Sequence, residues 1–143
     1  MNTLLETQLK RAKEAARLLK NMPTCTKNQA LEKIADALIA HSDEILEANK
    51  KDMAHAKEVN MTQAMQDRLL FTHERIVEVS DGVKKVATLP DPIGEVMESW
   101  TRPNGLEISK VRVPIGVFGI IYEARPNVTV DIASLCLKSG NAC

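Results

Sequence analysis

The chain has 143 residues, and 44% of them are hydrophobic. Such a chain can form one modest core, because a domain of this size buries roughly 68–70% of its unfolded surface. The 19 basic and 19 acidic residues cancel to a formal net charge of zero, which gives no electrostatic reason to bind nucleic acid or an anionic membrane. We therefore expect a single domain, or part of one, with no nucleic-acid or membrane partner.

The N-terminal twenty residues are charged throughout and lack the apolar core of a signal peptide. Cysteines are found at Cys25, Cys136 and Cys143, an odd number at wide spacing. This pattern argues against a disulfide framework and favours a reducing compartment. The histidines have no Cys or His at ligand spacing, so we expect no metal site. These features predict a cytoplasmic protein.

Residues 1–89 predict a series of helices. Apolar residues recur at steps of three and four in the first of them, at Leu4, Leu5, Leu9, Ala12, Ala16 and Leu19. Pro23 ends that helix, because a proline pushes the preceding residue out of the α region. We expect Thr26 to cap the second helix and Ser42 the third. Two further helices are predicted over residues 62–69 and 72–87.

The hydrophobic period changes after residue 89. Residues 95–113 predict a β-hairpin, because Asn104-Gly105 lies between two β-like runs, and Asn-Gly is a strong signal for a tight hairpin turn. The second run alternates imperfectly between apolar and charged residues, which suits a ribbon with one face in water.

Residues 114–143 predict a first buried strand followed by a helix. IGVFGIIY, residues 115–122, is apolar on both faces, as in a parallel strand covered on both sides. A helical pattern follows and ends near Gly140, a residue type favoured just after helix C-termini. The order of strand, polar turn and helix opens a βαβ unit, so we expect an α/β fold in which helices and a hairpin precede an incomplete Rossmann-like parallel sheet.

A polar cluster, EARPN at residues 123–127, follows the apolar run. In open α/β sheets, ligands bind beyond the carboxyl ends of strands, where helix N-termini point amide groups outward. Arg125 could bind a phosphate or carboxylate, and Asn127 could donate to an oxyanion. Arg125 could equally be a surface ion-pair partner, and Asn127 or Thr129 the cap of the next helix. Generic physical chemistry leaves both interpretations open.

The run VPIGVFGIIYEARPNVTVDIASLCLKSGNA resembles the signature region of the γ-glutamyl phosphate reductase family, within the aldehyde dehydrogenase superfamily. The likeness continues upstream in ILEANKKDMAHAK, DRLLFTHERI, LPDPIGEV and PNGLEISKVRVPIGV, and so covers nearly the whole chain. It implies an aldehyde dehydrogenase-like fold, of which residues 1–143 form the N-terminal part of the NADP-binding domain.

The resemblance also implies a reaction: NADPH-dependent reduction of L-glutamate 5-phosphate to glutamate 5-semialdehyde and phosphate, the second step of proline synthesis from glutamate. In this family a cysteine thiolate attacks the acyl phosphate, and hydride then reduces the thioester. That cysteine belongs to a later domain, so we expect residues 1–143 alone to be an inactive fragment of a homo-oligomeric enzyme, with the hairpin resembling an oligomerisation ribbon.

Site residues carried over from the resemblance lie in one short stretch. Asn127 is the candidate catalytic oxyanion donor, and Arg125 the candidate substrate-binding residue. Ile121, Tyr122 and Glu123 are expected along the nicotinamide side of NADPH.

Two alternatives compete with this interpretation. An oxidative aldehyde dehydrogenase acting on another substrate would share the fold, but its members carry a Pro-Trp-Asn type turn in place of YEARPNVT. A non-catalytic helical interaction module would explain residues 1–87, but it gives no reason for the polar cluster after the apolar run.

Overall fold

The computed structural model describes residues 3–143 as six helices and a two-stranded sheet. In chain order the elements are α1 (Thr3–Leu19), α2 (Thr24–Ala40), α3 (Ser42–Glu58), α4 (Gln63–Leu69), α5 (His73–Thr88), β1 (Val96–Thr101), β2 (Glu107–Val111) and α6 (Asn127–Lys138). The predicted α/β class is confirmed. Residues 1–2 of the predicted first helix lie outside the described part of the chain.

The core forms where α2 and α5 pack together and α6 covers them. Leu31, Ala35 and Val83 are at most 1% exposed, and Ala87 is 5% exposed. The buried Ser80 hydroxyl donates a hydrogen bond of 3.0 Å to the Ala35 carbonyl, so this polar side chain is satisfied inside the helix interface.

The structure confirms the predicted start of two of the four helices α2 to α5. Thr62 and Thr72 cap α4 and α5 through their side chains, as expected of residues 62–69 and 72–87. The predicted caps at Thr26 and Ser42 are wrong. The chain is already helical at Thr24, directly after Pro23, and α3 follows α2 through His41 alone, so both predicted caps lie inside helices.

Helix α1 contributes little to the core. Its leucines at 4, 5, 9 and 18 are at least half exposed, and Ala16 is the buried apolar residue of its face. Half of the predicted apolar stripe, Leu4, Leu5 and Leu9, is therefore exposed to solvent.

The hairpin forms where it was predicted. β1 and β2 pair antiparallel with an irregularity between Val96 and Glu98, and the turn passes through Gly105 with a φ of +84°. Every residue of β1 and all but Ile108 of β2 are exposed, so the ribbon is wet on both faces and not on one as expected.

The prediction that residues 115–122 form a strand buried on both faces is wrong for this chain. The segment forms one parallel bridge, Val117 to Ala142, closed by amide bonds of 2.9 Å from Phe118 to Ala142 and from Ala142 to Gly116. Ile115 and Ile121 are exposed by 80% and 101%. The physical reason is that, within residues 3–143, this segment has a neighbouring strand partner only at that bridge, so nothing covers its apolar side chains.

Helix α6 ends in the tight turn that Gly140 predicted. The Asn141 amide donates to the Cys136 carbonyl at 2.8 Å, and the Gly140 amide donates to the Leu137 carbonyl at 3.1 Å. These bonds form a Schellman motif, and Gly140 takes the left-handed φ of +68° that this motif requires. The turn sends the chain back to bridge with Val117.

Two buried lysines tie α2 to the loop after α5 and α6 to α2 and α5. Lys27 forms an ion pair with Asp91, which also accepts a hydrogen bond of 2.8 Å from Thr24. Lys138 donates to the Asn28 side chain at 2.6 Å and to the Ala87 carbonyl at 2.8 Å. These contacts fix the positions of α2, α5 and α6 relative to one another.

Candidate functional site

A cavity of about 280 Å³ lies between the polar turn before α6 and the connection from α4 to α5. Its lining residues are Asp67, Arg68, Leu70, Phe71, Arg75, Glu78, Val79, Arg125 and Asn127. The structure thus brings Arg125 and Asn127 together in one concave site. The volume lies just below the roughly 300–1,000 Å³ usual for small-molecule sites.

The turn that carries Arg125 and Asn127 is sharp. Ala124 adopts a left-handed φ of +49°, a conformation that costs a non-glycine residue roughly 1–2 kcal/mol. Pro126 then occupies the N-cap position of α6, and Asn127 is the first helical residue. The turn therefore leads directly into α6, and both Arg125 and Asn127 line the cavity.

The opposite wall is fixed by hydrogen bonds from buried or half-buried side chains. Asn49 is 5% exposed, donates to the Leu69 carbonyl at 2.9 Å and accepts from the Phe71 amide at 2.7 Å. Arg75 donates to the carbonyls of Asp67 and Leu70 at 2.5 and 2.6 Å. These bonds hold the α4–α5 connection in one conformation.

The cavity carries an excess of positive charge. Arg75 is paired with the Asp67 carboxylate at 3.1 Å. Among the described residues, no hydrogen bond or ion pair engages the side chains of Arg68, Arg125 or Glu78. Two guanidinium groups and one carboxylate are therefore available to a ligand.

Asn127 is partly committed to its own helix. Its side-chain amide donates to the Asp131 carboxylate at 3.0 Å. A carboxamide carries two N–H groups, so a second donor remains. The bond to Asp131 also orients the side chain, because it links positions one turn apart on α6.

The three predicted cofactor residues lie outside this cavity. Tyr122 lines a second, mainly apolar cavity of about 180 Å³, together with Ile120, Val128, Thr129, Ile132 and Cys143. Its hydroxyl forms a short hydrogen bond with Thr129. Ile121 is fully exposed and Glu123 is exposed, and neither lines either cavity.

Among the described residues, no cysteine lines the cavity that contains Arg125 and Asn127. Cys136, on α6, is buried. Burial and the nearby Cys143 thiol raise the pKa of Cys136 to about 11, so it is not a thiolate at neutral pH. Within residues 3–143, no three His, Cys, Asp or Glu side chains are grouped to hold a metal ion, and no helix is long and apolar enough to cross a membrane.

Sequence reasoning missed the α4–α5 side of the site. Arg68, Arg75 and Glu78 come from a segment separated by about fifty residues from the polar turn. Two of the arginines lie in the DRLLFTHERI block, which carried part of the family resemblance. The resemblance of that block to the family was the available sign that it contributes to a site. Helical periodicity could not show which of its residues would line a cavity with Arg125.

Comparison with known proteins agrees with the resemblance seen in the sequence. No protein-family model matches the chain. The "Gamma-glutamyl phosphate reductase" proteins of a Geobacillus species and of Moorella thermoacetica are each 56% identical over 99% of this chain. Crystal structures of γ-glutamyl phosphate reductases from Thermotoga maritima and Saccharomyces cerevisiae match with TM-scores of 0.93 and 0.88, at 47% and 40% identity over 96% and 93% of the chain.

The chain spans about a third of the length of these relatives: 34% of each of the two bacterial sequences, and 33% and 34% of the two crystallised chains. Within that third the likeness extends through both the helices and the polar turn, because nearly the whole chain is aligned. Over the part of these proteins that it spans, the chain is thus a homologue of the γ-glutamyl phosphate reductases.

Proposed function

We propose that the full-length gene product containing this chain reduces L-glutamate 5-phosphate to L-glutamate 5-semialdehyde and phosphate with NADPH, as a step of proline biosynthesis. The observation that carries the proposal is the 56% identity to γ-glutamyl phosphate reductases over 99% of the chain. The cavity that joins Arg125 to Asn127 supports it, because an acyl phosphate presents anionic oxygens and develops further negative charge when its carbonyl is attacked.

In this proposal Arg125 binds the phosphate, since a planar guanidinium can donate two parallel hydrogen bonds to phosphate oxygens. Asn127 donates its free amide hydrogen to the carbonyl oxygen as negative charge develops on it. The bond from Asn127 to Asp131 positions that donor before the substrate arrives. The rigid α4–α5 wall keeps the cavity open, so little ordering is required on binding.

The residues of this chain fit one end of NADPH. The small apolar cavity beside Tyr122 suits the flat face of a nicotinamide ring, and about 180 Å³ is too little for a whole dinucleotide. When bound, the cofactor supplies the hydride for the reduction. Tyr122, fixed by its bond to Thr129, lines the ring pocket, and Ile121 and Glu123 lie beside it in the chain.

The proposed setting is a cytoplasmic homo-oligomer. The hairpin supports self-association, because it exposes large apolar side chains that a lone ribbon in water would not favour. These are Val96, Met97, Trp100, Leu106 and Val111, all at least 43% exposed.

The test is a kinetic assay of the full-length gene product and its Arg125→Ala variant. We expect NADPH-linked semialdehyde formation from the wild type, and a KM for the acyl phosphate roughly 10- to 100-fold higher in the variant, because a charge-assisted contact is lost. The melting temperature should be unchanged. Arg11→Ala, at an exposed arginine of α1, is the matched control.

An inactive wild-type gene product would refute the proposed function. NAD-linked oxidation of unrelated aldehydes in its place would assign the chain to an oxidative aldehyde dehydrogenase. A lowered melting temperature with an unchanged KM would show that Arg125 is structural.

A further inference from the structure

The α4–α5 wall of the cavity offers charges that the proposed chemistry leaves unused. Arg68, near the C-terminal end of α4, is exposed, and its guanidinium has no hydrogen-bond or ion-pair partner among the described residues. Glu78 on α5 is also exposed, and its carboxylate likewise has no partner among them. By contrast, the Arg75 guanidinium is paired with the Asp67 carboxylate and also donates to the main-chain carbonyls of Asp67 and Leu70. One free positive and one free negative group therefore face the same small space.

We infer that this wall recognises the zwitterionic α-amino-acid head of the substrate, with Arg68 binding its α-carboxylate and Glu78 its α-ammonium group. The inference rests on the proposed function and adds the residues that determine substrate specificity. Arg125 and Asn127, which belong to the turn before α6, then remain for the reacting acyl phosphate end.

The charges on the two sides of the cavity determine which end of the substrate each side binds. A zwitterionic head requires a cation and an anion close together, and among the lining residues only the α4–α5 wall provides an unpaired example of each. The turn provides a guanidinium and a carboxamide, which both donate hydrogen bonds and so suit the oxygens of an acyl phosphate. Leu70, Phe71 and Val79 also line the cavity and suit the methylene carbons of the substrate.

The wall is also rigid enough to discriminate between substrates. Asn49 and Arg75 fix the α4–α5 connection through four hydrogen bonds to its main chain. A site held in this way cannot collapse around a smaller ligand, so a substrate that lacks one charged group leaves a counter-charge unpaired. Such sites reject the deficient analogue strongly.

The experiment uses the full-length gene product in the aldehyde-oxidising direction, with phosphate and NADP⁺. Three aldehydes are compared: glutamate 5-semialdehyde, 4-aminobutanal, which lacks the carboxylate, and 5-oxopentanoate, which lacks the ammonium group. We expect Arg68→Gln to lower kcat/KM for the semialdehyde by roughly 10- to 100-fold and to leave kcat/KM for 4-aminobutanal unchanged. Glu78→Gln should lower kcat/KM for the semialdehyde and leave that for 5-oxopentanoate unchanged.

Two further variants serve as controls. Arg68→Lys keeps the charge but loses the planar fork, so it should restore part of kcat/KM. Arg11→Gln removes an exposed arginine elsewhere and should change nothing. Equal losses for all three aldehydes, or no loss for any, would overturn the inference.

Failure of the proposed function gives a different result. If the wild-type gene product oxidises none of these aldehydes, calorimetric titration with L-glutamate still tests the wall. Binding by the wild type that is lost in Arg68→Gln would support the inference without the activity, and absence of wild-type binding would refute it.

Discussion

Gly140 lets α6 turn back towards residue 117 in a left-handed conformation that has little free space around it. A β-carbon at this position would lie 3.0 Å from a carbon of Pro114 and 3.4 Å from the Leu19 carbonyl oxygen. We expect Gly140→Ala to lower the free energy of unfolding by about 1–3 kcal/mol, from backbone strain and crowding together.

The matched control is Gly105→Ala in the hairpin turn, where φ is also positive but the space is open. It should lower the free energy of unfolding only through backbone strain, by roughly 1 kcal/mol, the lower end of the usual cost of a left-handed conformation. Urea denaturation of the full-length gene product measures both variants. Equal losses of stability in the two variants would show that crowding against Pro114 does not destabilise the Gly140→Ala variant.

Asp91 makes the stability of the helical layer depend on pH. Burial disfavours its charge, but the Lys27 ammonium, the Ile93 amide and the Thr24 hydroxyl favour it more strongly, so the pKa of Asp91 lies below its ordinary value of 3.8. A lowered carboxyl pKa stabilises the folded state at neutral pH, and the stabilisation is lost as the pH falls through the folded-state pKa.

We therefore expect Asp91→Asn to destabilise the protein by roughly 3 kcal/mol at pH 7, since Lys27 loses its buried partner. The difference from the wild type should shrink as the pH falls below about 4. Urea denaturation over a pH series measures the difference in the free energy of unfolding between wild type and variant. A difference that is constant across pH would show that the charge of Asp91 is not the cause.

Among the elements, α5 is a continuous helix from His73 to Thr88 despite Gly82 in its interior. Gly82 is exposed, and a β-carbon there would meet no atom within 4 Å. We expect Gly82→Ala to raise the free energy of unfolding by about 1 kcal/mol, because alanine loses less backbone entropy in a helix. A parallel Gly105→Ala variant should be destabilised. Unchanged stability in Gly82→Ala would indicate that the helix is frayed at this turn.

The sequence predicted α4 and α5 to within a residue because each begins with a threonine whose side chain caps the helix, a local interaction. The predicted caps of α2 and α3 were wrong because α2 begins directly after Pro23 and α3 begins directly after His41. Thr26 and Ser42 lie just inside these helices, and as polar residues they resembled N-caps in the sequence.

At the scale of the whole molecule, residues 115–122 carry exposed apolar side chains at Ile115, Val117, Phe118, Ile120, Ile121 and Tyr122. We expect residues 1–143 expressed alone to be inactive with glutamyl phosphate and NADPH, and to self-associate through this surface. Sedimentation velocity measures the association, and an NADPH-linked assay the activity. Ile115→Lys with Ile121→Lys should reduce association, since both side chains are exposed by 80% or more. Turnover above blank, or unchanged association in the double variant, would contradict this.

The sequence by itself determined the order of helices, hairpin and polar turn, because periodicity and turn residues are local features of the chain. For Arg125 and Asn127 it left a binding role and a structural role open, and only the family resemblance favoured the binding role. Only the tertiary structure decided that Arg68 and Glu78 line the same cavity, since their approach depends on how α4 and α5 pack beside the turn. It also decided that the apolar run at 115–122 stays exposed, because burial depends on which strands lie next to it and no local pattern encodes that.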